Sequence, residues 1–288
     1  MRGPSHYSRL LRWALHHYLP EHDVTVDTAN GRLSVSSKDW LMGKLLFVQR
    51  NYEIELIETT IRFLREQGYL KPGKNSTVVD IGANLGMIGV ALARGEYFEK
   101  VLAFEPGPRN FRLLEKNVEQ NGLESRVECF HAALSSADGT IEFEIDARNS
   151  GDSRVRQTEK MGELDEHLRE TVNVPAEKFD SFIARRYVGD ASDIDMFWID
   201  IQGHEGHFFS GAREFFSGRH VPVVNEFWGY GIARSGMSRE EYCATVRDMF
   251  SKFYLFTGNG YEERAIGEID TLFDKFRKPR EIASFILV

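Results

Sequence analysis

Residues 77–86 read Thr77-Val78-Val79-Asp80-Ile81-Gly82-Ala83-Asn84-Leu85-Gly86, and this stretch decides the fold. Three β-branched residues lead into an acid, which predicts a short strand covered on both faces, as parallel strands are. Leu85, Ile88, Gly89 and Leu92 then recur at helical spacing, so the hydrophobic period changes at the glycines. A strand, a tight turn and a helix leave a crevice at the strand's carboxyl end, where open α/β sheets hold ligands.

Downstream the alternation repeats. Residues 101–105 read as a strand, 108–121 as a helix opened by Pro108, and 127–132 as a third strand. Residues 194–199 form a strand that ends at Asp200, and 203–216 a helix. A strand at 221–224 leads into Asn225-Glu226 and is followed by a helix at 238–250 and strands at 253–256 and 282–288. Strands and helices at this spacing predict a mostly parallel α/β sheet of seven strands with right-handed crossovers. The rhythm breaks between about 138 and 190. There 140–145 alternates as a strand after Asp138-Gly139, and 146–170 is polar with mixed charge, a surface insertion that serves as a mobile lid or as a plain loop.

Upstream, Asn30-Gly31 between two alternating runs predicts a hairpin, because both residues tolerate positive φ. Residues 52–66 carry Ile54, Ile57, Ile61 and Leu64 on one helical face, and Gly68 with Pro72-Gly73 marks a break. The division expected is an N-terminal helical and hairpin extension, 1–71, and a main domain, 72–288. Residues 9–19 form an amphipathic helix whose apolar side packs on the body or on a second subunit, giving a homo-oligomer; attachment to a membrane surface is the alternative.

The formal net charge of -8 argues against a nucleic-acid partner, which needs a basic surface. With 42% hydrophobic and 28% charged residues the composition is that of a soluble globular protein. Cys129 and Cys243 match no metal or redox spacing and read as free thiols in a reducing compartment. No apolar run approaches the roughly 20 residues of a spanning helix, and no secretory signal is evident. A cytoplasmic protein is expected.

The glycines Gly82, Gly86 and Gly89 are spaced G-x-x-x-G-x-x-G, which departs from the dinucleotide fingerprint. Asp80 ahead of them is unsuited to a pyrophosphate but suited to an ammonium group. Glu105, at the end of the second strand, is placed to accept hydrogen bonds from ribose hydroxyls. A nucleoside with an amino-acid tail satisfies both acids, so S-adenosylmethionine, leaving as S-adenosylhomocysteine, fits better than NAD. A second set, Asp200, His204, Glu205 and Glu226, follows the fourth and fifth strands. His204, or a carboxylate raised by burial, suits a general base that removes a proton from a hydroxyl acceptor. Asp200 and Glu226 also suit Mg²⁺, although two acids without a third are too few to assign a metal.

These segments resemble the FkbM-type family of S-adenosylmethionine-dependent methyltransferases. The matching pieces are Asn51-Tyr52-Glu53, VVDIGANLG from Val78, FEPGPRNFRLLEKNV from Phe104, HAALS from His131, DIQGHEGHFFSGA from Asp200, and Glu226. The resemblance implies a class I, Rossmann-like sheet of seven strands with an antiparallel last strand and helices on both faces. It implies a cofactor held by the glycine loop (Gly82, Ala83, Asn84, Gly86) and by Glu105, with Ala132 and Ala133 near the adenine. It further implies O-methylation of a sugar, a glycan or a small metabolite. Two departures stand out: Trp198 and Gln202 replace the family's usual lysine and glutamate around Asp200, and Lys178-Phe179-Asp180 stands where Thr-Leu-Asp is usual. With that lysine and glutamate lost, a non-catalytic cofactor-binding scaffold is the alternative, and a nicotinamide-dependent oxidoreductase ranks third.

Overall fold

The computed structural model describes residues 6–70, 76–156 and 162–288. The Pro72-Gly73 break, and with it the 71/72 boundary, lies outside them. In chain order the strands are β1 (Asp23–Asp27), β2 (Arg32–Ser36), β3 (Thr77–Ile81), β4 (Lys100–Phe104), β5 (Val127–Phe130), β6 (Ala133–Leu134) and β7 (Gly139–Ile145). They continue with β8 (Arg154–Val155), β9 (Glu170–Glu177), β10 (Ile194–Ile199), β11 (Val223–Phe227), β12 (Lys252–Phe256), β13 (Tyr261–Ala265) and β14 (Ala283–Leu287).

The central sheet runs β13-β12-β14-β11-β10-β3-β4-β5. β3 lies in the middle, parallel to β4 on one side and to β10 on the other, so the residues after it sit where the chain's crossovers diverge. β14 is antiparallel to both neighbours, β11 and β12, as the resemblance implied. The seven expected strands are all present, and β13 adds an eighth at the edge. Its sequence, Tyr-Glu-Glu-Arg-Ala, has no apolar alternation to reveal it, and charge on an edge strand discourages further pairing.

Each face of the sheet carries its own apolar layer. One is rich in phenylalanine and takes the helices Phe179–Arg185, Glu205–Ser210 and Arg239–Met249. The other takes the helices Met87–Arg94 and Pro108–Glu119 together with the N-terminal extension. Trp13, Leu33, Leu46, Ile57 and Leu64 are buried in one cluster with Val78, Val101, Leu113 and Trp198. Two asparagines pin the hairpin there. The Asn117 amide donates to Leu85 O at 2.7 Å while its oxygen accepts from Ser34 N at 2.6 Å. Asn30, in the hairpin turn, donates to Tyr52 O at 2.8 Å and to Met87 O at 3.1 Å. The extension is therefore built into the face that carries the glycine loop. Among the described residues no helix is long and apolar enough to cross a membrane.

The described part of residues 146–170, expected as a lid or a loop, belongs to a packed layer. β6, β9, β7 and β8 form a second sheet in that order around Phe143, Val155 and Val174. Its polarity is explained by ion pairing. The Arg154 guanidinium meets Asp152 at 2.7 Å, Glu166 at 2.9 Å and Glu144 at 3.7 Å. Arg169 pairs with Asp152 and Asp146, and Arg234 reaches Glu166 at 3.6 Å. Each of these charges has an oppositely charged partner, which offsets the cost of taking it out of water.

Candidate functional site

Beyond β3 the backbone turns with Gly82 at φ 81°, Asn84 at φ 52° and Gly86 at φ 84°. Gly82 has a second constraint: a Cβ there would lie 2.0 Å from the carbonyl oxygen of Asp200, so the loop can pass under β10 only with glycine at this position. The Gly82 and Ala83 amides donate to Phe104 O at 3.0 and 2.9 Å. Glu105 closes the arrangement. Its Oε2 accepts from Asn84 N at 2.9 Å and its Oε1 from Gly107 N at 2.8 Å, which leaves free lone pairs on both oxygens. Burial pushes the carboxyl up to about 7 against those amide bonds. Glu105, Ala132 and Ala133 line a narrow slot of about 40 Å³ beside Phe104 and Pro106. Phe143, Arg154 and Val155 of the smaller sheet complete its wall.

Asp80 lies on the other side of the loop. It is buried, its Oδ2 faces Gly89 in the helix that follows the loop, and burial raises it to about 7 against a backbone hydrogen bond from Gly89, with the charges of Asp200 and Glu105 adding to the shift. It borders a cavity of about 580 Å³ that also takes in Gly82, Asn84, Trp198, Asp200, Gln202, Glu226 and Trp228. The register aligns Asp80 with Trp198 and Trp198 with Val224. Residues two further along, Gly82, Asp200 and Glu226, therefore rise from the same face of the sheet. Asp200 accepts a hydrogen bond from the Gln202 amide at 2.5 Å, and burial pushes it up to about 6. Glu226 is driven well above the ordinary carboxyl range by burial and by the charges of Asp200, Glu53 and Glu205.

His204 does not join this cavity, which corrects its expected place as a base facing the acceptor. Gly203, at φ 97° and packed on the Gly231 backbone, turns the chain down into the helix that follows. His204 Nε2 then lies 2.9 Å from Ser135 Oγ, and its ring stacks on His207 at 4.5 Å. Burial holds its pKa well below the ordinary value, with the His207 charge acting in the same sense. It is a neutral imidazole beneath the slot. Glu205, pushed up to about 7 by burial, accepts from Gly203 N at 3.2 Å and supports the same turn.

Sequence reading missed what the extension brings. Tyr52 and Glu53 line the large cavity opposite the sheet. Glu53 sits at φ 53°, a left-handed conformation rare outside glycine. Glu53 is exposed within the cavity, and partial loss of water around it together with the charge of Asp200 raises its pKa above the ordinary carboxyl value. Trp228 and Tyr230 are structural in part: the Trp228 indole donates to Pro279 O at 2.7 Å, and the Tyr230 hydroxyl donates to Glu166 at 2.7 Å. Among the described residues no three His, Cys, Asp or Glu side chains gather in metal-ligand geometry.

The buried Asp80 carboxyl at the edge of the large cavity is a place for a cation, and the Glu105 carboxyl beside the slot is a place for hydroxyl donors. The two acids on either side of the glycine loop fit the amino-acid tail and the ribose hydroxyls of an aminoacyl nucleoside.

The chain is similar to curated methyltransferases over about half of its length. Methyltransferase sdnD of Sordaria araneosa is 29% identical over 159 residues, 49% of this chain and 61% of that protein. The 2-O-methyltransferase NoeI of Sinorhizobium fredii is 24% identical over 148 residues, 48% of this chain and 57% of that protein. The matched stretch is thus under two thirds of either relative. Among solved structures, an O-methyltransferase from Bacillus cereus in complex with S-adenosylhomocysteine is 14% identical, covering 80% of this chain and 81% of that one with a TM-score of 0.37. Residues 80–277, well over half of the chain, match the methyltransferase FkbM domain, and the chain belongs to that family.

Proposed function

We propose that this S-adenosylmethionine-dependent methyltransferase methylates a hydroxyl oxygen of a sugar, a glycan or a small hydroxylated metabolite. The observation that carries the reading is the carboxyl group of Glu226, raised by burial in a cavity of about 580 Å³ that shares Gly82, Asn84, Asp200 and Gln202 with the nucleoside slot. When bound, the cofactor supplies a methyl group already activated on a sulfonium, so the protein's work is alignment, exclusion of water and proton removal. Asp80 holds the ammonium, Glu105 the ribose, and the Gly82–Gly86 turn the tail between them. Ala132 and Ala133 leave room for the adenine edge. Glu226 takes the acceptor's proton, and Asp200, beside it on β10, orients the hydroxyl while held by Gln202. Burial brings a carboxylate closer to an alcohol in basicity, which is what a base of this kind requires.

Only the ionised form of Glu226 accepts a proton, so the rate rises with pH through its raised pKa and then flattens. Tritium transfer from labelled S-adenosylmethionine into a mixed pool of glycans and hydroxylated metabolites measures this. Glu226→Gln is expected to slow transfer by about 100-fold, the size typical of a lost general base, and to leave S-adenosylhomocysteine affinity within about twofold. Full transfer by the variant would remove Glu226 from the mechanism. Base-labile label in the wild-type product would point to a carboxyl acceptor and overturn the hydroxyl reading.

A further inference from the structure

We propose that the N-terminal helix docks this protein on the surface of an anionic lipid bilayer. The helix His6–Tyr18 is apolar on two sides. Inward, Trp13 is fully buried, with its ring 5.4 Å from Phe47. Outward, Tyr7, Leu11, Leu15 and Tyr18 are between 62% and 86% exposed. They are spaced four, four and three residues apart, which puts them in one stripe. A helix that served only the core would be polar along that line.

The stripe does not stop at the helix. Leu19, Trp40 and Leu41 are also exposed. Trp40 is held there by the His17 ring at 4.8 Å, and Lys38 ties its loop to the helix end by donating to Leu19 O at 2.7 Å. A continuous apolar patch of this kind marks an interaction surface.

Charge selects the occupant. The chain as a whole carries -8, yet residues 6–20 contain Arg9 and Arg12 and no acid. Lys44 adds a cation 5.0 Å from the Trp40 ring. The nearest acids along the chain are already engaged: Glu21 pairs with Arg109, and Asp23 pairs with Arg112 and Lys116. Aromatic and leucine side chains on one side with basic residues at the margin suit the headgroup layer of an anionic membrane. The same charges oppose a symmetric pairing of two such helices, because like would face like. Leu41 belongs both to this patch and to the wall of the large cavity, so a bilayer docked here lies at the cavity mouth.

The test is sedimentation of the full chain with vesicles of phosphatidylcholine alone and of phosphatidylcholine mixed equally with phosphatidylglycerol. The protein is expected to pellet with the mixed vesicles and not with phosphatidylcholine, and high salt should release part of it. The double substitution Leu11→Glu, Leu15→Glu should lower the bound fraction by at least about tenfold, with thermal midpoint and S-adenosylhomocysteine affinity unchanged. The proposal is overturned by absence of vesicle binding, by binding that the double substitution leaves intact, or by a dimer in solution that the same substitution dissociates.

Discussion

Asp80→Asn is expected to weaken S-adenosylhomocysteine binding by about 100-fold, the cost of removing one partner of a buried, hydrogen-bonded charge pair. The demethylated product is the right probe, because it keeps the ammonium and lacks the sulfonium. Asp80 is buried and borders the cavity beside the glycine loop, so its loss removes the acid placed for the ammonium. In the free protein burial holds Asp80 at about 7, while a bound cation favours its ionised form, so binding releases a proton. Affinity of the wild type therefore rises with pH up to about 7 and then levels off, and the Asn variant loses most of that slope.

Stability moves the other way. The folded pKa of Asp80 is raised, so between its unfolded value near 4 and about 7 the folded state binds more protons, and stability falls as pH rises through that window. Asn carries no such penalty, and the unliganded variant should be more stable than the wild type at pH 8, by up to about 4 kcal/mol for about three pKa units at about 1.4 kcal/mol each. A purely structural Asp80 would give the opposite: lower stability with affinity unchanged. Calorimetric titration and thermal melts at a series of pH values separate the two cases.

Arg154→Ala is expected to cost about 3 kcal/mol of stability, at the low end of the range for breaking a buried ion pair by removing one partner. Arg154 is 4% exposed and touches Asp152, Glu166 and Glu144, and its guanidinium lies 5.0 Å from the Trp228 ring. Arg169 and Arg234 remain to offset part of the stranded charge, which argues for the low end. The damage should concentrate in the small sheet of β6 to β9, because that layer has its own apolar cluster and can open without the central sheet. Hydrogen exchange is expected to quicken in β7, β8 and β9 and to stay slow in β3 and β10. Arg154 also lines the nucleoside slot, so S-adenosylhomocysteine affinity should fall with it. A variant with wild-type melting and unchanged exchange in this layer would show that the ion pairs do not hold it.

The parts of this fold that follow from local rules are legible in the sequence. A change of period at Gly82, a positive φ at Gly82 and Gly86, and a hairpin around Asn30 are demands of the backbone over a few residues; the hairpin lies where the pattern puts it, but its turn centres on Ala29-Asn30, and of Asn30 and Gly31 only Gly31 takes a positive φ. The mostly parallel sheet follows from the strand and helix alternation, and its antiparallel last strand from the resemblance. What stays hidden depends on residues distant in the chain. Residues 146–170 look like a polar loop until Arg154 finds Glu144 and Glu166, and neither partner can be named from composition. His204 stands four residues after Asp200 and shares its segment, but the Gly203 turn sends it to Ser135. Glu53 reaches the cavity only because Asn30 clamps the Tyr52 backbone and the extension packs on the sheet. The replacement of the family's lysine by Trp198 is visible in sequence. Its consequence, a cavity lined by Asp80, Asp200, Glu226 and Glu53 with no lysine among them, appears only once the strands are aligned.

The atom that receives the methyl group is the most direct test. With S-adenosylmethionine carrying ¹³C in its methyl group, the product formed from a pool of glycans and hydroxylated metabolites is read by its carbon chemical shift and by its coupling to the neighbouring proton across oxygen. The expected result is a methyl ether signal, absent with Glu226→Gln and with Asp80→Asn. A signal from a methyl group on nitrogen or carbon, or no labelled product while S-adenosylhomocysteine binds tightly, would contradict it.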